Sequence, residues 1–234
     1  MATQHAALSE ELASLQGGTE RIEELSQSMD ALAGQYQESA TKLGKKRATA
    51  ARKLQKGVVE ILATLAMGQC QFKVELNPRE STDPHPQGQE EVEFTISTNP
   101  GSEPQPLAKI ASGGELSRIS LAIQVVSAST TTIPSMVFDE VDVGIGGAVA
   151  EVVGRLLREL ASRSQILCVT HLAQVASQGH QHLKVSKSGD KKAVETELLE
   201  LQPEDKVQEI ARMLGGVKIT EQSLAHAREM LESV

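Results

Sequence analysis

The sequence predicts an α/β protein in which one long helix precedes a mostly parallel sheet with flanking helices. The first 66 of the 234 residues contain no proline and are rich in Ala, Leu, Glu, Gln and Lys, a composition typical of a long helix. Beyond residue 112, short apolar runs alternate with amphipathic segments, a pattern typical of parallel strands joined by helical crossovers. We therefore predict a coiled-coil arm at 1–66 and a sheet-containing domain at 67–234.

The arm has the seam of a coiled coil, because its apolar residues recur three or four positions apart. These residues are Leu8, Leu12, Leu15, Ile22, Leu25, Met29, Leu32 and Tyr36. The order of threes and fours changes across Gly17-Gly18, so we predict a break or a register shift there. One helix cannot bury such a seam alone, and the arm therefore needs a partner helix.

A basic stretch near the end of the arm has no acidic residue within it. Its members are Lys42, Lys45, Lys46, Arg47, Arg52, Lys53 and Lys56. One interpretation is a stripe that contacts DNA phosphates, with Lys45, Lys46, Arg47, Arg52 and Lys53 as the candidate residues. The other is a solvated helix face, and the sequence leaves both open.

The remaining elements follow from the period of their apolar residues. Alternating strands are predicted at 71–76 and 91–96, separated by a loop that contains three prolines. The alternating region then has helices at 114–127, 148–160 and 172–177 and strands at 136–138 and 165–169. A hairpin is predicted at 183–187 and 193–201 around Ser188-Gly189-Asp190, followed by helices at 203–214 and 220–231 on either side of Gly215-Gly216.

Composition narrows the class of protein. The chain is 39% hydrophobic but only 2% aromatic, which predicts an aliphatic core. Its net charge of -8 argues against a generally basic nucleic-acid binder. Two cysteines, Cys70 and Cys168, are too few for a disulfide framework, and we expect Cys168 to be buried. Because no signal peptide and no long apolar run is visible, we expect a cytoplasmic protein without a membrane partner.

The turn Ser112-Gly113-Gly114-Glu115 opens the helix predicted at 114–127. Its glycines allow backbone N–H groups to approach a ligand closely, and the N-terminus of a helix favours an anion. An ordinary N-cap by Ser112 is an equally good explanation. The turn is therefore a candidate anion site, and its residues alone do not distinguish such a site from an ordinary N-cap.

Two adjacent carboxylates, Asp139 and Glu140, follow the apolar strand at 136–138. An aspartate at a strand end suits Mg²⁺, and a neighbouring glutamate suits the deprotonation of a water molecule. The glycine-rich loop at 141–147 comes directly after them. Its glycines allow close contact between the backbone and a ligand. The alternative for the acidic pair is two solvated carboxylates without a ligand, and the alternative for the loop is an ordinary turn.

Thr170-His171 ends the next predicted strand. Because parallel strands end at the same edge of a sheet, His171 is expected on the same edge as Asp139 and Glu140. A histidine there can donate a hydrogen bond to a phosphate. A purely structural histidine is the alternative.

In this order, these motifs resemble the C-terminal half of an ABC-type ATPase head, and the preceding arm resembles the SMC-like branch of those ATPases. The runs 107–118, 138–145 and 169–176 are similar to those of a bacterial DNA-repair family within that branch. The resemblance covers essentially the whole chain. It implies a returning coiled-coil arm at 1–66 and the C-terminal lobe of the head at 67–234.

The resemblance also implies roles for single residues. Ser112, Gly113, Gly114 and Glu115 correspond to the signature motif, which contacts ATP bound to a second head. Asp139 is expected to serve Mg²⁺, Glu140 to act as the general base, and His171 to contact the γ-phosphate. Asp142 and Gly144 lie in the loop expected to couple the two heads, and they are also expected to bind ATP.

As a whole, the resemblance implies an ATPase that acts on DNA in double-strand-break repair and recombination, is cytoplasmic and nucleoid-associated, and forms a homodimer of heads. The P-loop pattern G-x-x-x-x-G-K-[ST] occurs nowhere in the sequence, so an N-terminal lobe is expected to supply it. We accordingly expect this chain to be inactive alone. The alternative is a non-catalytic coiled-coil protein that tethers DNA or binds partners through a degenerate head.

Overall fold

The computed structural model describes residues 2–81, 83–98, 101–110, 112–128, 130, 133–188, 195–215 and 219–234. It gives the backbone alone for 2, 3, 6–8, 10–17, 19, 20, 187, 188 and 195. The side chains of Leu8, Leu12 and Leu15, the turn residues Gly189 and Asp190, and Gly216 therefore lie outside the described residues.

The predicted long N-terminal helix is confirmed as α1, Ala2–Thr64. Of the two possibilities predicted at Gly17-Gly18, a break or a register shift, the break is wrong, because α1 continues through both glycines. Each glycine in a helix interior costs about 1 kcal/mol relative to alanine, a cost that the long helix on either side outweighs. The change in apolar spacing therefore shifts the seam around the helix and leaves the backbone helical.

The strands and later helices occur close to their predicted positions. A three-stranded sheet has the order β1 (Gln71–Pro78), β2 (Glu90–Ser97) and β3 (Gln105–Pro106). The elements that follow are α2 (Gly113–Ser127), β4 (Ser135–Phe138), α3 (Gly147–Ala161), β5 (Gln165–Cys168), α4 (Ala173–Ala176), β6 (Leu183–Ser188), β7 (Glu195–Glu200), α5 (Pro203–Gly215) and α6 (Glu221–Glu232).

Strands β4 and β5 pair in parallel, from Ser135 opposite Gln165 to Phe138 opposite Cys168. Strands β6 and β7 form an antiparallel hairpin, and β3 pairs antiparallel with β2. The α/β class with a long N-terminal helix and parallel strands is thus confirmed. The other described sheets add antiparallel pairs to it.

The chain divides into two compact units. The first consists of Met1–Arg52 and Glu75–Glu93. Within it, the Tyr36 hydroxyl accepts a hydrogen bond from the His85 backbone N–H at 3.0 Å, and Arg47 forms an ion pair with Glu90 at 3.3 Å. The predicted seam residues Ile22, Leu25, Met29 and Leu32 are exposed.

The second unit consists of Lys53–Val74 and Phe94–Val234. One of its cores contains Leu121, Phe138, Val141 and Val153, so it joins α2, β4 and α3. Cys168 packs against this core and keeps partial exposure. Burial, with smaller effects from Asp142 and Asp139, raises the pKa of its thiol to about 12, which leaves it unreactive.

Among the described residues, those on only one face of the parallel β4–β5 pair are buried. Met136 and Ile166 pack against the core, whereas Val137 is 68% exposed and Leu167 is 46% exposed on the other face.

No helix in the described part of the chain combines the length and apolar character that crossing a membrane requires.

Candidate functional site

The parallel pairing of β4 and β5 brings the predicted chemical residues to one edge of the sheet. Phe138 pairs with Cys168 at the carboxyl end of both strands. Asp139 and Glu140 follow one strand and His171 the other, and all three side chains are exposed. Two carboxylates and an imidazole are therefore exposed to solvent at the ends of neighbouring strands. This is where a ligand site is expected in an open α/β sheet.

Glu140 has an unusual backbone. Its φ is 58°, in the left-handed region that residues other than glycine rarely occupy. Its N–H donates a hydrogen bond to Asp139 Oδ1 at 2.9 Å, which helps to fix this conformation. Strained backbone of this kind concentrates at functional sites, and the observation singles out Glu140 among the two carboxylates.

Asp142 lies beneath this edge and is only 2% exposed. Its Oδ2 accepts hydrogen bonds from the Thr170 hydroxyl at 2.5 Å and from the His171 N–H at 3.2 Å. His171 Nδ1 lies 3.5 Å from the same oxygen. The buried carboxylate thus fixes the segment that contains His171. Gly144, the other candidate of this loop, is exposed and has a φ of 75°.

At the N-terminus of α2, Ser112 is the N-cap residue, and its hydroxyl accepts a hydrogen bond from the Glu115 N–H at 3.4 Å. The N-cap interpretation of Ser112 is therefore realised. It does not exclude an anion site, because Gly113 is exposed in the first turn and the first turn of a helix has N–H groups without intrahelical partners. Glu115 lies in the same turn.

Helix α2 contacts the loop that contains the acidic pair. A Cβ on Gly113 would collide with Glu140 Oε2, so the glycine leaves room for the carboxylate. The Ser117 hydroxyl donates to the Asp139 carbonyl at 2.7 Å, and Arg118 Nη1 donates to the Val143 carbonyl at 2.8 Å. The turn and the acidic pair, which the resemblance assigned to two different nucleotides, therefore touch each other in one chain.

Sequence reasoning assigned no role to Ser117, Arg118 or Thr170. A signal was present for the first two, since they follow Gly113 and Gly114 by four residues and must share their helix face. For Thr170 the signal was its position beside His171 at a strand end. Its partner Asp142 could not be identified from spacing alone.

The residues of the edge fit the protein's share of a Mg²⁺–nucleotide site. Mg²⁺ is usually bound by one or two carboxylates together with phosphate oxygens and water, and Asp139 is an exposed carboxylate at the strand end. A complete metal site made of three or more His, Cys, Asp or Glu side chains is not found among the described residues. A Mg²⁺ ion bound here would thus take most of its ligands from phosphate oxygens and water.

The five candidate DNA contacts are not equivalent. Lys45, Lys46 and Arg52 are exposed on α1 in the first unit, and Lys53 is exposed in the second. Arg47 is instead half-buried and paired with Glu90. At about 100° per residue, Lys45, Lys46 and Arg52 fall within about 120° of the helix circumference, with Arg47 on the other side. Arg47 is thus directed away from the face that the other cations share.

The chain is similar in sequence to curated DNA repair proteins. The DNA repair protein RecN of Vibrio cholerae is 46% identical over 227 residues, which are 97% of this chain and 41% of that protein. RecN of Haemophilus influenzae is 46% identical over 99% of this chain and 41% of its own length. Over the part of those proteins that it spans, the chain belongs to the RecN family.

A third relative extends the match to every residue. RecN of Xylella fastidiosa strain 9a5c is 42% identical over all 234 residues and 42% of its own length. This RecN-family chain thus spans about two fifths of the length of the curated relatives it matches. No family model matches the chain.

Among solved structures, the fold is similar to an Smc head domain with a coiled coil and joint derived from Pyrococcus yayanosii. The TM-score is 0.50 with 19% sequence identity, over 70% of this chain and 29% of that one. At this identity the similarity shows the fold alone, which is that of an SMC head.

Proposed function

We propose that the chain is the C-terminal part of an SMC-like ATPase that acts on DNA in double-strand-break repair and recombination. Its RecN relatives are named as DNA repair proteins, and its fold is similar to an SMC head. The observation that supports an ATPase most directly is that Asp139, Glu140 and His171 follow the carboxyl ends of two paired parallel strands, with Glu140 close to Gly113 in the first turn of α2.

In this proposal the chain's own residues have separate tasks. Bound Mg²⁺–ATP supplies the phosphoanhydride and much of the charge neutralisation. Asp139 holds the ion, Glu140 orients a water molecule and accepts its proton, and His171 donates a hydrogen bond to phosphate. Asp142 keeps the His171 segment in place through its two hydrogen bonds.

The site needs a P-loop that the 234 residues do not contain. We propose that an N-terminal lobe supplies it. The exposed face of β4–β5 supports this, because Val137, Leu167 and Val169 present apolar side chains there, and exposed apolar clusters of this kind mark interaction surfaces. The turn Ser112–Glu115 then contacts ATP on a second head, so that two heads dimerise around the nucleotide.

A reconstitution experiment tests this function. The purified chain is mixed with an N-terminal RecN half that contains a P-loop, and ATP turnover is measured. We expect turnover only in the mixture. Glu140→Gln should abolish hydrolysis while ATP-dependent association of the halves remains, because the carboxamide keeps the shape but cannot accept the proton.

The matched control is Glu151→Gln, which changes an exposed glutamate of α3 and should leave turnover intact. Hydrolysis by the chain alone that Glu140→Gln abolishes would contradict the need for a second lobe. Association of the halves without any turnover would instead favour the alternative, a non-catalytic tethering protein with a degenerate head.

DNA contact is proposed for the exposed cations of α1. Neutralising Lys45, Lys46 and Arg52 together to glutamine should weaken duplex binding and lower the slope of log affinity against log salt by about 2.7, since each lost phosphate contact contributes about 0.9. Fluorescence anisotropy at several salt concentrations measures both quantities. The control variant neutralises three exposed cations elsewhere, Lys109, Arg155 and Arg228; equal slopes in the two variants would show that the α1 cations form only a solvated face.

A further inference from the structure

Arg118 on α2 is almost fully buried, with 8% of its surface exposed. Arginine is among the residues least often buried, because removing a guanidinium group from water is costly unless it is paired. In the described part of the chain its Nε has no hydrogen-bond partner. No ion pair with Arg118 is found among the described residues. Burial lowers the pKa of its guanidinium group, and the nearby Glu115, which favours the charged form, partly offsets this lowering.

The hydrogen bond that Arg118 does form is directed at the loop of the acidic pair. Its Nη1 donates to the Val143 carbonyl at 2.8 Å, three residues beyond Glu140. A guanidinium donor makes a stronger bond to a carbonyl than a neutral donor does. The adjacent Gly114 keeps the helix close enough for this bond, since a Cβ there would lie 3.2 Å from the same carbonyl oxygen.

A second bond from α2 holds the other side of Glu140. The Ser117 hydroxyl donates to the carbonyl of Asp139, the residue that precedes Glu140. The loop is therefore attached to α2 immediately before Glu140 and again at Val143. A left-handed φ at a residue other than glycine persists only where its surroundings over-determine it. These two bonds add restraints from α2 to the bonds within the loop, from the Glu140 N–H to Asp139 Oδ1 and from the Val143 N–H to the Glu140 carbonyl.

We propose that Arg118 is a positioning residue which, with Ser117, fixes the loop from Asp139 to Val143 on helix α2, so that the Gly113 turn and Glu140 move as one body. This inference rests on the proposed function only where it assigns Glu140 to catalysis. Its consequence is mechanical. Any ligand that displaces the Ser112–Glu115 turn also displaces Glu140, because both are attached to one helix.

NMR of the isolated chain tests the attachment without nucleotide. In Arg118→Met, which keeps a long buried side chain but no donor, the charged hydrogen bond to the Val143 carbonyl is lost and the loop should open more easily. The Val143 N–H, which donates to the Glu140 carbonyl at 3.2 Å within the same loop, should therefore exchange about 10- to 100-fold faster. The carbon chemical shifts of Glu140, which report its φ, should move away from left-handed values. Arg118→Lys keeps a donor and should recover much of both signals.

The global unfolding midpoint separates positioning from mere packing. A buried guanidinium without an ion-pair partner carries a desolvation cost that methionine avoids, so Arg118→Met should leave the urea midpoint unchanged or raised while the loop loosens. Arg155→Met, at an exposed arginine of α3, is the control and should change neither. Loosening of the loop together with a matching fall in global stability, without recovery in Arg118→Lys, would overturn the proposal.

Ser117→Ala provides an independent variant in case Arg118→Met does not fold. It removes the bond to the Asp139 carbonyl and should alter the Glu140 shifts, whereas Ser120→Ala, an exposed serine of the same helix, should not. Unchanged Glu140 shifts in Ser117→Ala would also overturn the proposal. Because no nucleotide is present, failure of the reconstituted ATPase leaves these outcomes unaffected, and the two proposals fail separately.

Discussion

The Thr170 hydroxyl donates a hydrogen bond to the buried carboxylate of Asp142 at 2.5 Å. The two residues belong to the segments that follow β5 and β4, so their bond joins the two strand ends that present His171 and Glu140. The same Asp142 oxygen accepts the His171 N–H. The exposed residues of the edge thus depend on a buried polar contact below them, and a buried carboxylate needs such donors to offset its loss of water.

We therefore expect Thr170→Val to destabilise the chain by about 1–3 kcal/mol, because the variant keeps the side-chain volume but leaves the Asp142 carboxylate with one donor fewer. Urea unfolding followed by circular dichroism measures the change. Thr170→Ser keeps the hydroxyl and should retain most of the stability. If the valine variant unfolds at the same urea concentration as the unmodified chain, the hydroxyl contributes nothing to stability.

The left-handed φ of Glu140 leads to a second expectation. Glycine adopts this conformation freely, whereas alanine suffers a penalty of about 1 kcal/mol. Glu140→Gly should therefore be more stable than Glu140→Ala by about 1 kcal/mol, although both lack the carboxylate. Thermal unfolding of the two variants gives the comparison.

The matched site for this comparison is Glu151 in α3, an exposed glutamate with ordinary helical neighbours. There the order should reverse, because glycine is about 1 kcal/mol worse than alanine inside a helix. The same order at both positions would show that the backbone of Glu140 is not strained in solution.

The local spacing of apolar residues was sufficient to predict most of the helices and strands and the shared sheet edge of Asp139, Glu140 and His171. The apolar strand before Asp139, the next strand before Thr170 and the helix between them require a parallel pair, and that pairing alone places His171 on the edge shared with Glu140. Backbone continuity at Gly17-Gly18 was missed because the spacing of apolar residues reports which face a helix buries, and a shift of that face needs no break.

What the sequence could not provide were contacts between residues distant along the chain. Arg47 belongs to a basic run by composition, but its ion pair with Glu90 joins positions 43 residues apart, and no local period reveals it. Arg118 illustrates the same limit. Its position on the helix face of Gly114 was predictable, but its bond to the Val143 carbonyl depends on how closely the helix approaches the loop.

The end of α1 leads to a third expectation. Ala66 has a φ of 58°, and the Met67 N–H donates to the Leu62 carbonyl at 3.0 Å. This bond and the left-handed residue before it form a Schellman motif, in which glycine is the usual residue. Ala66→Gly should therefore raise the free energy of unfolding by about 1 kcal/mol. Chemical denaturation of the chain measures the gain.

Ala63 is the control for this change, since it is exposed within the last turn of α1. Glycine at Ala63 should lower the stability by about 1 kcal/mol through its poor helix propensity. Destabilisation by both glycines would indicate that the helix does not end in this motif.

Glu209 on α5 gives the stability of the chain a dependence on acid pH. Its carboxylate is 7% exposed, accepts hydrogen bonds from Arg212 Nε at 3.0 Å and lies 2.7 Å from Lys184 Nζ. The bond from Arg212, and to a lesser extent Lys184, lowers the pKa of Glu209 to about 2 despite its burial. The ion pairs therefore connect α5 with β6 through a group that stays charged well into acid.

A carboxyl group with a lowered pKa stabilises the folded state above its unfolded pKa, which is about 4.3 for glutamate. That contribution is lost as the pH falls from about 4 through about 2, because the folded state must then take up a proton it disfavours. Its size is on the order of 2–3 kcal/mol, allowing for the partial exposure of Arg212 and Lys184. Urea midpoints of the chain should accordingly fall over this range of pH, and Glu209→Gln should show a shallower fall. Glu204→Gln, at an exposed glutamate of the same helix, should keep the slope of the unmodified chain, and identical slopes in the two variants would show that Glu209 is not the group that titrates.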